Sequence, residues 1–368
     1  AVAAYEEALE IRARTATMET EDGADVLYNI GAVKGQCGDE DGEIRAYQEA
    51  LRIREATQTV QKVDGAKLLN CIGVAKRHRG DYSGALESYM RAWEIRKLTD
   101  TTSTPEAADV LYNIGVIRSL CKDHDGALKA FDKALAIRER TDTVTTHAGA
   151  KLMNKMAIAR GHRGDVDGEL AAYMEAWRIR EVTGTLVMPA GAKLLAKLGI
   201  ARHRSGDSKG AIDAYSEARR IRKKTRTLVT PDGADVMHNI GVAKGQLDDL
   251  EGALEAYAEA RWIREHTETL MTPAGADLVH GIGYVRGQQG DLEGALRAYA
   301  EAQKIHEKTG TLETAEAAKL LNNTGVAKRQ RGHFEGALAA YLRALAVHQS
   351  LGSLASAEGA ELLNNIGV

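Results

Sequence analysis

The chain has 368 residues, 44% of them hydrophobic but only 5% aromatic, with four prolines and a formal net charge of -3 from 49 basic and 52 acidic side chains. That balance excludes the whole-molecule basic field that draws proteins to nucleic acid. No run approaches the ~18 uninterrupted apolar residues of a membrane span, and three cysteines without a CxxC spacing make neither a disulfide framework nor a zinc site.

Abundant Ala, Leu, Arg and Glu predict an all-α chain. In chain order, the first element begins near Gly23, where apolar Leu27, Ile30 and Val33 recur at helical spacing and Gly31 lets a neighbouring helix approach. Gly38-Asp39 is a turn, and a second helix follows; its pattern is clearest one unit on, where Leu86, Tyr89, Ala92, Trp93 and Ile95 share an apolar face. The segment GADVLYNIGAVKGQCGDEDGEIRAY at Gly23 returns at Gly65, Ala107, Gly149, Gly191, Gly233, Gly275, Ala317 and Gly359, always 42 residues on. Residues 1–368 are therefore expected to form a single solenoid of about eight and three-quarter units, cut within a unit at both ends, because stacked identical units tolerate no change of frame. The first residue is Ala with no leader pattern after it, which suggests an excised or processed chain. Pro105, Pro189, Pro231 and Pro273 fall in one column, three of them after Thr104, Thr230 and Thr272, as expected for a capping hydroxyl followed by proline at a helix start.

The pattern resembles the tetratricopeptide repeat. Leu27, Ile30 and Gly31 occupy its first signature places, and Ala85 and Tyr89 its alanine and aromatic places. The 42-residue unit, with LLNNTGV at Leu320–Val326 and ALAIRE at Ala134–Glu139, is similar to the kinesin-light-chain type. The resemblance implies a right-handed superhelix of antiparallel helix pairs, with first helices lining a concave wall and partners bound there. It implies that the columns of Asp25, Tyr28, Asn29, Ala32, Gly35 and Gln36 face that groove. The family's inward tyrosine is replaced here by Lys34, Lys76, Arg118, Arg160, Arg202, Lys244, Arg286 and Lys328. These charges must reach an acid, the turn aspartates being the expected partners, or extend to water.

The candidate partner-binding residues lie on the first helices. Asn29, Asn113, Asn239, Asn323 and Asn365 form a column interrupted by Cys71, Lys155, Lys197 and Gly281, with Asn70 and Asn154 beside it. In kinesin-light-chain-like repeats the matching asparagines hold a peptide backbone, for which a carboxamide, both donor and acceptor, is suited; a hydrogen bond holding neighbouring first helices in register is the alternative. The Asp25 column alternates in sign through Lys67, Asp109, Lys151, Lys193, Asp235, Asp277, Lys319 and Glu361. It is expected either to select peptide charge, acidic near Lys151, Lys193, His162 and Arg204 and basic near Asp235 and Asp277, or to form register-setting salt bridges. Asp235 with His238, and Asp277 with His280, have the three-residue spacing of a metal-binding pair, but polar groove contacts are the expected role.

No nucleophile–base set stands apart from the repeat. The chain is expected to be a non-enzymatic, cofactor-free intracellular (cytoplasmic) scaffold that binds a protein or peptide in its groove. End-to-end self-association of the solenoid is the alternative, and RNA binding is a third reading resting only on the Lys/Arg column.

Overall fold

The computed structural model describes residues 2–367, without the side chains of Val2, Ala3 and Glu6. Among the described residues the structure is helical with no strand. Its helices are α1 (Val2–Arg14), α2 (Glu21–Gln36), α3 (Glu40–Ala56), α4 (Val63–His78), α5 (Tyr82–Leu98), α6 (Pro105–Leu120), α7 (His124–Arg140), α8 (His147–His162) and α9 (Val166–Val182). They continue with α10 (Pro189–Arg204), α11 (Ser208–Lys224), α12 (Pro231–Gln246), α13 (Leu250–His266), α14 (Pro273–Gln288), α15 (Leu292–Thr309), α16 (Ala315–Gln330), α17 (Phe334–Ser350) and α18 (Ala357–Gly367). Even-numbered helices are the first helices of the repeat, odd-numbered ones the second. Contacts gather the chain into two compact units, Ala1–Thr185 and Leu186–Val368, each a run of the same helix pair.

Local chemistry sets most of the boundaries. Extended Thr20 accepts a hydrogen bond from the Gly23 amide at 3.3 Å, and Thr104, Thr146, Thr230, Thr272 and Thr314 cap their helices the same way. Lys62 and Met188 hold this place in α4 and α10 without a side-chain cap. The turn aspartates cap the second helices: Asp39 accepts from Gly42 at 2.8 Å, and Asp81, Asp123, Asp165, Asp207, Asp249 and Asp291 repeat the bond. The turn before them needs a left-handed residue, supplied by Gly80 (φ 79°) and its equivalents, and by Lys122 and Asp248 (φ 63° each) where glycine is missing. The Thr-rich linker is a fastened turn. Thr57 Oγ1 reaches back to the Ile53 carbonyl and across to Thr59 Oγ1, both at 2.9 Å, and Thr99–Thr101 through Thr309–Thr311 repeat this.

In every complete pair but α8–α9, where Ala157 holds the place, a glycine of the first helix receives an aromatic ring of the second. A Cβ at Gly31 would stand 2.5 Å from the Tyr47 ring, and Gly115 against Phe131 and Gly325 against Tyr341 are built alike. A pair cannot close its core alone. In the second unit Leu321, Ala337, Tyr341 and Ala344 are sealed by Leu362 of the next repeat, which is wholly buried; a leucine so placed contributes roughly 1.5–3 kcal/mol. First helices of successive repeats also touch directly, α4 with α6 and α6 with α8 in one unit, α10 with α12 through α16 with α18 in the other. Among the described residues, second helices show no comparable closeness. Each unit therefore bends toward its first helices.

Candidate functional site

The inner face of the bend carries the polar columns. Asn113 Nδ2 donates to Asn70 Oδ1 at 2.9 Å and Asn365 Nδ2 to Asn322 Oδ1 at 3.0 Å, while Asn323 Nδ2 meets His280 Nε2 at 2.9 Å. The Tyr28 hydroxyl stands 3.7 Å from Cys71 Sγ in the same relation. Each contact joins one repeat to the column one residue earlier in the preceding repeat. The asparagines thus form a diagonal ladder between first helices. Asn239 stands opposite Ala196 in this register, which has no group to offer it. Asn29 and Asn154 are partly buried on α2 and α8.

The alternating charges do not pair along their column. Asp25 pairs with Arg54 of its own second helix, as Asp109 does with Arg138 and Asp235 with Arg264, the latter two at 2.5 Å. These arginines belong to a buried basic column, Arg54, Arg96, Arg138, Arg180, Arg222 and Arg264, continued by His306 and His348, each between 2% and 6% exposed. Sequence reasoning missed it, although the signal was present: an arginine or histidine directly follows the core Ile53 and its equivalents in every complete second helix. Desolvation pushes the Asp109 and Asp235 carboxyls above the usual range despite their partners. Where the first helix has lysine, the arrangement changes. Lys67 Nζ lies 5.2 Å from the centre of the Tyr28 ring, Lys193 bridges to Asp232 at 3.1 Å, and exposed Lys151 has no ion pair among the described residues.

His238 and His280 lie against Tyr257 and Tyr299 (ring centres 5.6 and 5.7 Å apart), and burial pushes both imidazoles down to about 4. Asp235 turns away to Arg264, and burial raises the Asp277 carboxyl. No group of three or more metal-capable side chains occurs among the described residues. His162 stacks on His124 with ring centres 4.7 Å apart, and Arg204 is exposed at the end of α10. Most of the cations replacing the inward tyrosine reach the turn or the first turn of the second helix. Lys34 and Lys244 approach Asp39 and Asp249 at 3.8 and 3.2 Å, and Arg118, Arg160 and Arg202 donate to the carbonyls of Gly126, Gly168 and Gly210.

Tetratricopeptide repeat models match residues 64–140 and residues 317–351. The chain contains tetratricopeptide repeats. Such repeats generally serve as protein-interaction scaffolds. Among solved structures, the tetratricopeptide repeat chain is similar to BtubC (BKLC) from P. vanneervenii (TM-score 0.54, 20% identity, 61% of this chain and 91% of that one). It is similar to the nearly identical TPR-like repeats of a kinesin light chain of Podosopora anserina, in a singly substituted form (0.50, 16% identity, 56% and 97%). It is also similar to a signal-transduction ATPase of the STAND class with a tetratricopeptide repeat sensor from Pyrococcus horikoshii (0.61, 14% identity, 89% and 48%). At these identities the likeness is one of fold. No curated protein matches the chain in sequence.

Proposed function

We propose that the inner face of the first helices captures an extended peptide or partner segment without chemistry on it. The observation that carries this reading is the asparagine ladder. At Asn113 and Asn323 the amide nitrogen is engaged by the preceding repeat, which orients the carboxamide while its Oδ1 remains able to accept from a peptide amide. Asn239, with no ladder partner, keeps both functions. Fixed polar groups on a rigid scaffold lose little freedom on binding, which favours affinity. Lys67, Lys151 and Lys193 against Asp235 and Asp277 would then bias the peptide's charge. Reading residues 1–368 as one array rests on the unbroken 42-residue spacing. No described helix is long and apolar enough to cross a membrane.

The test is a peptide array to find a binding segment, followed by affinity measurements on N113A and on N239A/N323A. A loss of about tenfold or more with unchanged helix content supports the reading. Unchanged affinity in both variants would count against the asparagines as the holding groups.

A further inference from the structure

Among the described residues, the buried basic column contains one arginine without a counter-charge. Arg54 has Asp25 and Glu21, Arg138 has Asp109, Arg222 has Asp232, and Arg264 has Asp235; Arg96 donates to Thr104 Oγ1 and faces Glu106 and Asp109. His306 and His348 meet the hydroxyls of Thr311 and Ser353. Arg180 is 6% exposed, and both its Nε and Nη1 are buried without a hydrogen-bond partner. The positions that supply acids to Arg54, Glu21 and Asp25 on the preceding first helix, are held before Arg180 by His147 and Lys151. Burial together with Lys151 and Arg180 lowers the His147 pKa, so these cations share one locality.

A guanidinium does not shed its proton to relieve burial, so the charge stays, and a buried charge without a partner is costly. Nη2 is the nitrogen that takes the carboxylate in Arg54, Arg138, Arg222 and Arg264. In Arg180 it is the one guanidinium nitrogen not sealed away unsatisfied. The fold has therefore built a carboxylate-binding guanidinium and, in this repeat, set a lysine where the aspartate belongs.

We infer that Arg180, with Lys151 beside it, binds a carboxylate supplied by a partner: an aspartate or glutamate side chain of the segment held on the inner face. This rests on the reading of that face as peptide-binding. The ligand class follows from the sister repeats, where the same guanidinium holds a planar carboxylate. Such a contact is charge-assisted and strengthened by partial burial.

The probes are fluorescein-labelled hexaglutamate and hexaglutamine, with inorganic phosphate as competitor, on the full chain. Hexaglutamate should bind and hexaglutamine should not. K151D, which restores the acid found at Asp109, should weaken hexaglutamate at least about tenfold and raise the melting temperature of the free protein. K122D makes the same charge change at an exposed left-handed turn residue that tolerates aspartate, and should leave binding essentially unchanged. Equal losses in K151D and K122D, or a lowered melting temperature in K151D, would overturn the inference. So would phosphate displacing hexaglutamate as readily as free glutamate does, since the site would then be a small-anion site. N113A separates the two readings: its loss of hexaglutamate binding with retention in K151D rejects Arg180 and leaves the groove standing. The reverse pattern supports Arg180.

Discussion

Asn113 gives an amide hydrogen to Asn70, 2.9 Å away and one repeat earlier. Both side chains are partly buried, so removing one partner strands the other. N70A is expected to lower stability by about 1 kcal/mol, and N70A/N113A by little more than N70A alone. Urea midpoints for the double-mutant cycle measure this; strictly additive losses would show that the bond carries no weight.

His280 sits neutral in the fold, its pKa pushed down to about 4 by burial and by Lys319, His306 and His238. A folded pKa below the free imidazole's ~6.5 means a stability contribution complete above that value and lost as pH falls toward 4. Asparagine stands in the equivalent place at Asn322 and Asn70, each bonded as His280 is. H280N should therefore keep the contact with Asn323 while removing on the order of 1–3 kcal/mol of acid sensitivity between pH 6.5 and 4. The raised carboxyls of Asp235 and Asp277 act with the opposite sign, and they cancel when the two proteins are compared at each pH. Parallel melting curves would reject the assignment.

Tyr341 is 2% exposed and its hydroxyl has no hydrogen-bond partner. Phe131 fills the same socket in another repeat, against Gly115 as Tyr341 lies against Gly325. Y341F should gain about 1 kcal/mol, because an unmet buried hydroxyl is removed and the ring retained. A loss on thermal or urea melting would mean that the hydroxyl is satisfied in solution.

His333 stands at the start of α17 with the backbone of the capping aspartates (φ -89°, ψ 67°) but makes no capping bond. H333D should install the missing acceptor and stabilise the chain by about 0.5–2 kcal/mol. Slower amide exchange in the first turn of α17 gives the local readout; unaltered exchange there would contradict it.

The helix pairs, their caps at Thr104, Thr230 and Thr272, and the Gly–aromatic approach were legible because each is written in residues a turn or two apart, or at constant spacing. The site's pairings were not. Reading down columns at 42 residues suggests that Asp25 answers Lys67, whereas the helix hairpin folds Asp25 onto Arg54, 29 positions on. The asparagines join at 43 residues, a diagonal that vertical columns hide. The threonine pairs such as Thr57–Thr59 recur every 42 residues, but a column of threonines does not by itself say which hydroxyls meet.

The Thr caps, Asp caps, threonine clasps and Asp25–Arg54 type pairs each begin and end inside a single period. The apolar seam, the asparagine diagonal and ion pairs such as Lys193–Asp232, Arg219–Glu259 and Arg261–Glu301 cross from one period to the next. A gene that loses or duplicates 42 codons hands back a chain in which the fastenings inside each period keep their spacing. Lengthening or shortening the array is thus open to simple recombination, while a slip of any other size would strand fastenings throughout the affected repeat.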